Sequence, residues 1–203
     1  MLANRLQAAV GCLLIEGTKP GMSDLSGLRL ILNGYGILSE TFRLTGGPDL
    51  HGRLQDAYYE IRRRCAVPTI VAGRQACWAA LALAEQLPAD RLVLIDPGEA
   101  SPGIGIDAPI ALRRSLSRLK RFAVNNLSFC TGDVLAIVGQ PEAVPRLRRR
   151  MRAAKGRLAC VQIAGNAPGG MTGAAADGVA SFLVSGELPK SLAENAEMCI
   201  IYG

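Results

Sequence analysis

The stretch from Val67 to Pro97 limits what this chain can fold into more than any other. Val67–Gly73 is a short apolar run, rich in β-branched residues and ending in glycine, the pattern of a strand buried on both faces. After Arg74-Gln75-Ala76-Cys77 comes Trp78–Glu85, dominated by Ala and Leu, strong helix formers that Pro88 then stops. Leu92–Ile95 is a second buried run, closed by Asp96-Pro97. Strand, sharp turn, helix and strand in so short a span are the repeating unit of a parallel α/β sheet.

Further strands are expected at Val10–Glu16, Leu28–Leu32, Val134–Val138 and Leu158–Ile163, with a short edge strand at Thr41–Thr45. Helices are expected at Leu54–Cys65, Ala111–Val124, Pro145–Ala154 and Gly173–Leu183. Gly17–Gly27 reads as a turn and Pro97–Pro109 as a Gly/Pro-rich loop. Residues 186–197 read as a linker, and Met198–Tyr202 as a strand-like tail. At 203 residues, 49% hydrophobic and 20% charged, the chain is expected to form one α/β domain over residues 1–203.

The turn Gly73–Cys77 resembles the nucleophile elbow of the α/β-hydrolase superfamily, Gly-x-Ser-x-Gly between a strand and a helix. Gly73 is kept, Gln75 stands at the nucleophile position and Cys77 at the final glycine. Asn33-Gly34 resembles the family's His-Gly pair, whose loop supplies part of the oxyanion hole, and Gly46–Gly52 is similar to its Pro-Asp-Leu-x-Gly loop. Ala136–Glu142 resembles the strand-Gly-x-x-Asp segment of the triad acid, which puts Glu142 in that place. The family's histidine falls on Pro168.

The likeness runs from about Leu28 to Val184. It implies an α/β-hydrolase-like, mostly parallel central sheet with helices on both faces. It also implies a lid reduced to the 111–124 helix and a first helix deleted or shrunk. The implied triad, Gln75, Glu142 and Pro168, is not intact: an amide cannot attack a carbonyl, and proline relays no proton. The resemblance therefore points to a non-catalytic protein binding a small carbonyl- or carboxylate-containing molecule in the vestigial cleft. Asn33, Gly34, Tyr35, Gln75 and Ala76 would line that site. No cofactor and no metal are expected.

Each candidate carries a plainer reading. Cys77, near a helix N-terminus, is either a displaced thiol nucleophile or a small buried residue packing helix on strand. Glu142 is either a triad-like acid or a charge favourable to a helix N-terminus. Those two residues carry the rival expectation of an active hydrolase or acyltransferase. His51, the one histidine, reads as a surface or capping residue. Gly165–Thr172 has the glycine spacing of a phosphate loop, but Met171 stands where its lysine is needed.

The formal charge of +6 comes from arginines near 62–64, 113–121 and 146–152. They alternate with Leu and Val at helical spacing, so they read as solvated faces, and with 4% aromatics nucleic-acid binding is not expected. Six cysteines without a CxxC pair read as buried, reduced thiols of a cytoplasmic protein. The apolar run before Cys12 is too short for an export signal, and no run reaches the ~20 apolar residues of a membrane span. A free Met198–Tyr202 would be a sticky edge, so it is expected to join its own sheet or a second subunit. With the first helix missing, the homodimer is the expectation. A structural role through the basic helices or this tail is the remaining alternative.

Overall fold

The computed structural model describes residues 8–17, 25–45, 49–97, 114–115, 118, 131–152, 154–163, 173–194 and 196–202. Along the chain these form β1 (Ala8–Glu16), α1 (Ser26–Gly34), β2 (Leu38–Arg43), α2 (Leu50–Arg64) and β3 (Cys65–Gly73). A 3₁₀ turn (Arg74–Ala76), α3 (Cys77–Gln86), β4 (Arg91–Ile95), β5 (Asp133–Val138) and α4 (Ala143–Met151) follow. The last elements are β6 (Leu158–Gln162), α5 (Ala174–Ser185), α6 (Lys190–Glu194) and β7 (Met198–Tyr202).

The strands lie in the order β2-β1-β3-β4-β5-β6-β7. The first six pair in parallel, and β7 pairs antiparallel with β6. Strand residues alternate between two cores. Leu13, Ile15, Ile70 and Leu94 face the core built by Leu54, Tyr58 and Ile61 of α2, the alanines of α3, and Leu147 and Met151 of α4. Cys12, Leu14, Val71 and Val93 face Leu28 and Leu32 of α1, Val179 and Phe182 of α5, and Leu192 of α6. Helices on both faces explain why the strands read as unbroken apolar runs.

Leu28–Leu32 is a helix, not the expected strand. Leu25, Leu28 and Leu32 are buried, while Arg29 and Leu30 between them are exposed, a 3.6-residue stripe inside a run too short to show its period. The first helix of the domain is therefore present, and the argument for thinner cover on that side falls. The edge strand lies at Leu38–Arg43, slightly earlier than expected. Glu16, buried at the end of β1, fixes this corner: its carboxylate accepts the Leu25 N–H at 3.1 Å and meets Arg43 Nη2 at 3.2 Å.

The expected linker also has structure. Gly186, at φ +77°, ends α5 in the left-handed region that favours glycine, and its N–H donates to the Phe182 carbonyl. Leu192 of α6 is buried beside Gly178, where an added Cβ would stand 3.1 Å from it. The tail takes the intramolecular course, with Met198 opposite Gln162 and Tyr202 opposite Leu158. Of the expected 111–124 helix, Arg114, Ser115 and Arg118 are helical and the rest lies outside the described residues.

Met198, Ile200 and Tyr202 pack against the α4 side of the core. Removing residues 197–203 should therefore lower folding stability by on the order of 2–4 kcal/mol, the scale of three half-buried side chains and a strand ladder. Urea denaturation of the truncated chain reads this directly. An unchanged midpoint would mean the tail adds nothing to the fold of its own subunit.

Candidate functional site

The sheet order reverses between β1 and β3, so the loops after these strands diverge and leave a crevice at their carboxyl ends. One wall is the turn after β3. Gly73 is extended, and the next residue, Arg74, has φ +49°. The chain then passes through the 3₁₀ turn into α3. A left-handed conformation at a long side chain is uncommon and costs about 1–2 kcal/mol. The strained residue of the elbow is thus Arg74, one place before Gln75.

One strand across, Asp96 leaves β4 with φ +45°. Asp96 precedes Pro97, which further restricts its backbone. These two are the described non-glycine residues with positive φ, and they touch: Arg74 Nε lies 3.6 Å from Asp96 Oδ2. That is an ion contact beyond hydrogen-bond length. Arg74 Nε is buried and has no hydrogen-bond acceptor among the described residues, although the side chain as a whole is one-third exposed. Gly139, just after β5, lies beside Asp96, where a Cβ would make an ordinary contact of 3.6 Å with Asp96 Oδ1.

Among the residues expected from the sequence, Gln75 and Ala76 lie in the turn, Gln75 half-buried and Ala76 fully buried. Asn33, Gly34 and Tyr35 lie elsewhere. They end α1, which runs back from the carboxyl ends, so they sit toward the amino ends of the strands. Asn33 Oδ1 accepts from the Ser39 hydroxyl at 2.7 Å, and the Tyr35 hydroxyl reaches across to Asp177, in the first turn of α5, at 3.3 Å. The loop that leaves a strand beside the elbow is the one after β1; Gly17 begins it, and residues 18–24 lie outside the described residues.

Glu142 is exposed and precedes α4, beyond the end of β5, without a side-chain capping bond. The carboxylate that meets the elbow is Asp96. Pro168 and the glycine-spaced segment 165–172 lie outside the described residues. His51 Nε2 contacts Gln86 Oε1 at 2.8 Å. Gln86 ends α3 while the elbow begins it, so ten helical residues, about 15 Å, separate this contact from Arg74.

Cys77 opens α3 yet points inward, 1% exposed, with Sγ 3.3 Å from the Ala72 carbonyl and 3.7 Å from that of Ile95. Burial holds its thiol well above the ordinary range, and nearby Asp96 pushes the same way. It packs the helix on the strands, and the thiolate needed for attack is suppressed. Two residues of the site were missed in the sequence, Arg74 and Asp96. The signal was available: each is a charged residue placed directly after the apolar end of a strand, Ile70–Gly73 and Leu92–Ile95.

No family profile matches the sequence, and no curated protein matches it. A solved structure from LipS and LipT, two metagenome-derived lipolytic enzymes, resembles the chain at TM-score 0.51 and 14% identity, covering 79% of this chain and 85% of that one. A structure of drICE resembles it at TM-score 0.40 and 10% identity, over 98% of this chain and 89% of the other. The likeness to the lipolytic enzyme, with the seven-stranded, mostly parallel sheet and its helices on both faces, defines an α/β-hydrolase-like fold. No helix among the described residues is long and apolar enough to cross a membrane.

One of the five described cysteines departs from the expected burial: Cys199 on β7 is exposed, while Cys12, Cys65, Cys77 and Cys160 are buried. Burial raises the Cys12 thiol to about 12 and the Cys160 thiol to about 11. Native protein treated with a thiol reagent should therefore show a fast equivalent that Cys199→Ser removes, with Cys77 unreactive until unfolding. Rapid native labelling of Cys77 would restore it as a candidate nucleophile.

Proposed function

We propose that this is a non-catalytic α/β-hydrolase-fold protein that binds a small carboxylate- or carbonyl-containing molecule at the elbow, with Arg74 as its anchor. The observation that carries the reading is the strained Arg74–Asp96 pair with its buried, unsatisfied Nε. Strain held at neighbouring strand ends is the mark of a site, because the rest of the fold must maintain it. A guanidinium is always protonated, so at the apex it binds instead of attacking. Its planar fork matches a carboxylate, and the guanidinium charge makes such a bond a strong one. Asp96 holds the guanidinium in place. The N–H groups at the start of the turn, including that of Ala76, are donors for a second oxygen. Gln75 offers an amide at the rim.

In this reading the triad is degenerate, and neither Cys77 nor Glu142 replaces its nucleophile. The buried thiols support a reduced, cytoplasmic setting. A second subunit keeps one argument, the outer edge of β7, which is unpaired among the described residues. We therefore include a twofold β7–β7 contact; light scattering that finds a monomer at high micromolar concentration removes it.

Hydrolysis of p-nitrophenyl acetate should not exceed the rate of Arg74→Ala or Gln75→Ala controls. Turnover by the wild type well above both would make the protein an enzyme and end the non-catalytic reading. Calorimetric titration with butyrate should show binding that butyramide matches only weakly. Arg74→Ala should weaken butyrate by about tenfold or more, the scale of one hydrogen bond to a charged group. Equal butyrate affinity in Arg74→Ala would take the anchor away from Arg74.

A further inference from the structure

The opposite pole of the sheet holds a second concavity, unrelated to the elbow. Between the last turn of α4 and the end of β7 lies an open basin of about 700 Å³, in the size range of small-molecule sites. Arg148, Arg149 and Arg152 stand on its wall, Met151 and Leu158 form a buried floor, and Tyr202, on the face of β7 that packs toward α4, lies on its edge. Gly156, in the tight α4–β6 turn, is part of its lining; a Cβ there would stand 1.9 Å from the Gly132 carbonyl oxygen.

The charge in the basin is unbalanced. From Ala143 to Arg152 there is no acidic residue, and the three guanidiniums share one face, at i, i+1 and i+4. Like charges so placed repel one another, and the favourable helix C-terminus offsets that repulsion without supplying a counter-ion. Elsewhere arginines meet carboxylates, Arg43 with Glu16, Arg63 with Glu60 and Arg157 with Asp133. Among the described residues none of the three basin arginines meets one. Arg148 is instead held over the Tyr202 ring, 4.4 Å from its centroid, which fixes one cation at the mouth.

We propose that this basin binds a small amphiphilic phosphomonoester, its head group on Arg149, Arg152 and Arg148 and its apolar body over Met151 and Leu158. A phosphomonoester carries close to two negative charges near neutral pH and three acceptor oxygens, enough to engage several guanidinium forks; one carboxylate would balance only one. The apolar floor and concave shape favour a compact ligand with a hydrocarbon part. A nucleic-acid backbone would call for cations spread along an open surface.

Decyl phosphate, kept below its micelle-forming concentration and titrated into the full chain, should bind at least about tenfold more tightly than inorganic phosphate, because the chain buries apolar surface. Arg149→Ala and Arg152→Ala, both at exposed positions that leave the core intact, should each weaken it by about tenfold. Arg74→Ala should leave it unchanged, which separates this site from the elbow. Cosedimentation with phosphatidylcholine vesicles doped with phosphatidic acid, lost in Arg149→Ala, would assign the head group to a lipid. Binding of the monomeric amphiphile alone would assign it to a soluble phosphate ester. Equal affinity for inorganic phosphate, competition by a DNA duplex at matching salt, or indifference to both arginine substitutions would overturn the proposal and leave a plain cationic face.

Discussion

The parallel register of β3 against β4 is what the candidate site depends on. Gly73 lies opposite Ile95, so the two strands end at the same height and Arg74 and Asp96 leave the sheet side by side. Both turn through the left-handed region at once, and the Arg74–Asp96 contact spans the gap between the turns. The conformation is uncomfortable for the long Arg74 side chain, at about 1–2 kcal/mol against a total stability of about 5–15 kcal/mol, and milder for the short, polar Asp96. The surrounding sheet bears that cost. Val71, Ala72, Val93 and Leu94 are buried, and α3, made largely of alanine, packs close enough to hold the turn shut.

Much of the fold was legible because β-strands covered by helices on both faces must be apolar throughout. β3, β4, β5 and β6 could be read from composition and length alone, and α3 from its alanines. Leu28–Leu32 was not legible, because Leu-Arg-Leu-Ile-Leu satisfies a strand's alternation and a helix's stripe at once; only packing against α5 decides. The tail could be read as a strand but not assigned a partner, since an apolar edge strand pairs equally well with its own sheet or another.

The elbow was legible as a turn and misplaced by one residue. Small residues stand at Ala72 and Gly73 before it and at Ala76 and Cys77 after it, so the same spacing fits around Arg74 or around Gln75. Residue type cannot separate the two registers. Backbone geometry does, because the apex is where the chain must reverse, and that is Arg74. The oxyanion-side residues were misplaced for a related reason. Once Leu28–Leu32 is taken as a strand, Asn33-Gly34 falls at its carboxyl end; as the end of α1 it belongs to the other pole.

A hydrolase elbow works by using strain to push one side chain clear of the sheet, into a crevice edged with backbone N–H groups. The same geometry serves any side chain placed there, and the chemistry follows from what that side chain is. A serine so exposed is a nucleophile when a base is near. An arginine so exposed puts positive charge where a reacting oxygen would carry negative charge, and it remains cationic at any physiological pH. Asp96 beside it is no base toward a guanidinium, and its 3.6 Å contact leaves the Nε donor without a hydrogen bond. The change from attack to capture thus requires no change of fold, only a different residue at the apex, and that is the physical content of the proposed binding role.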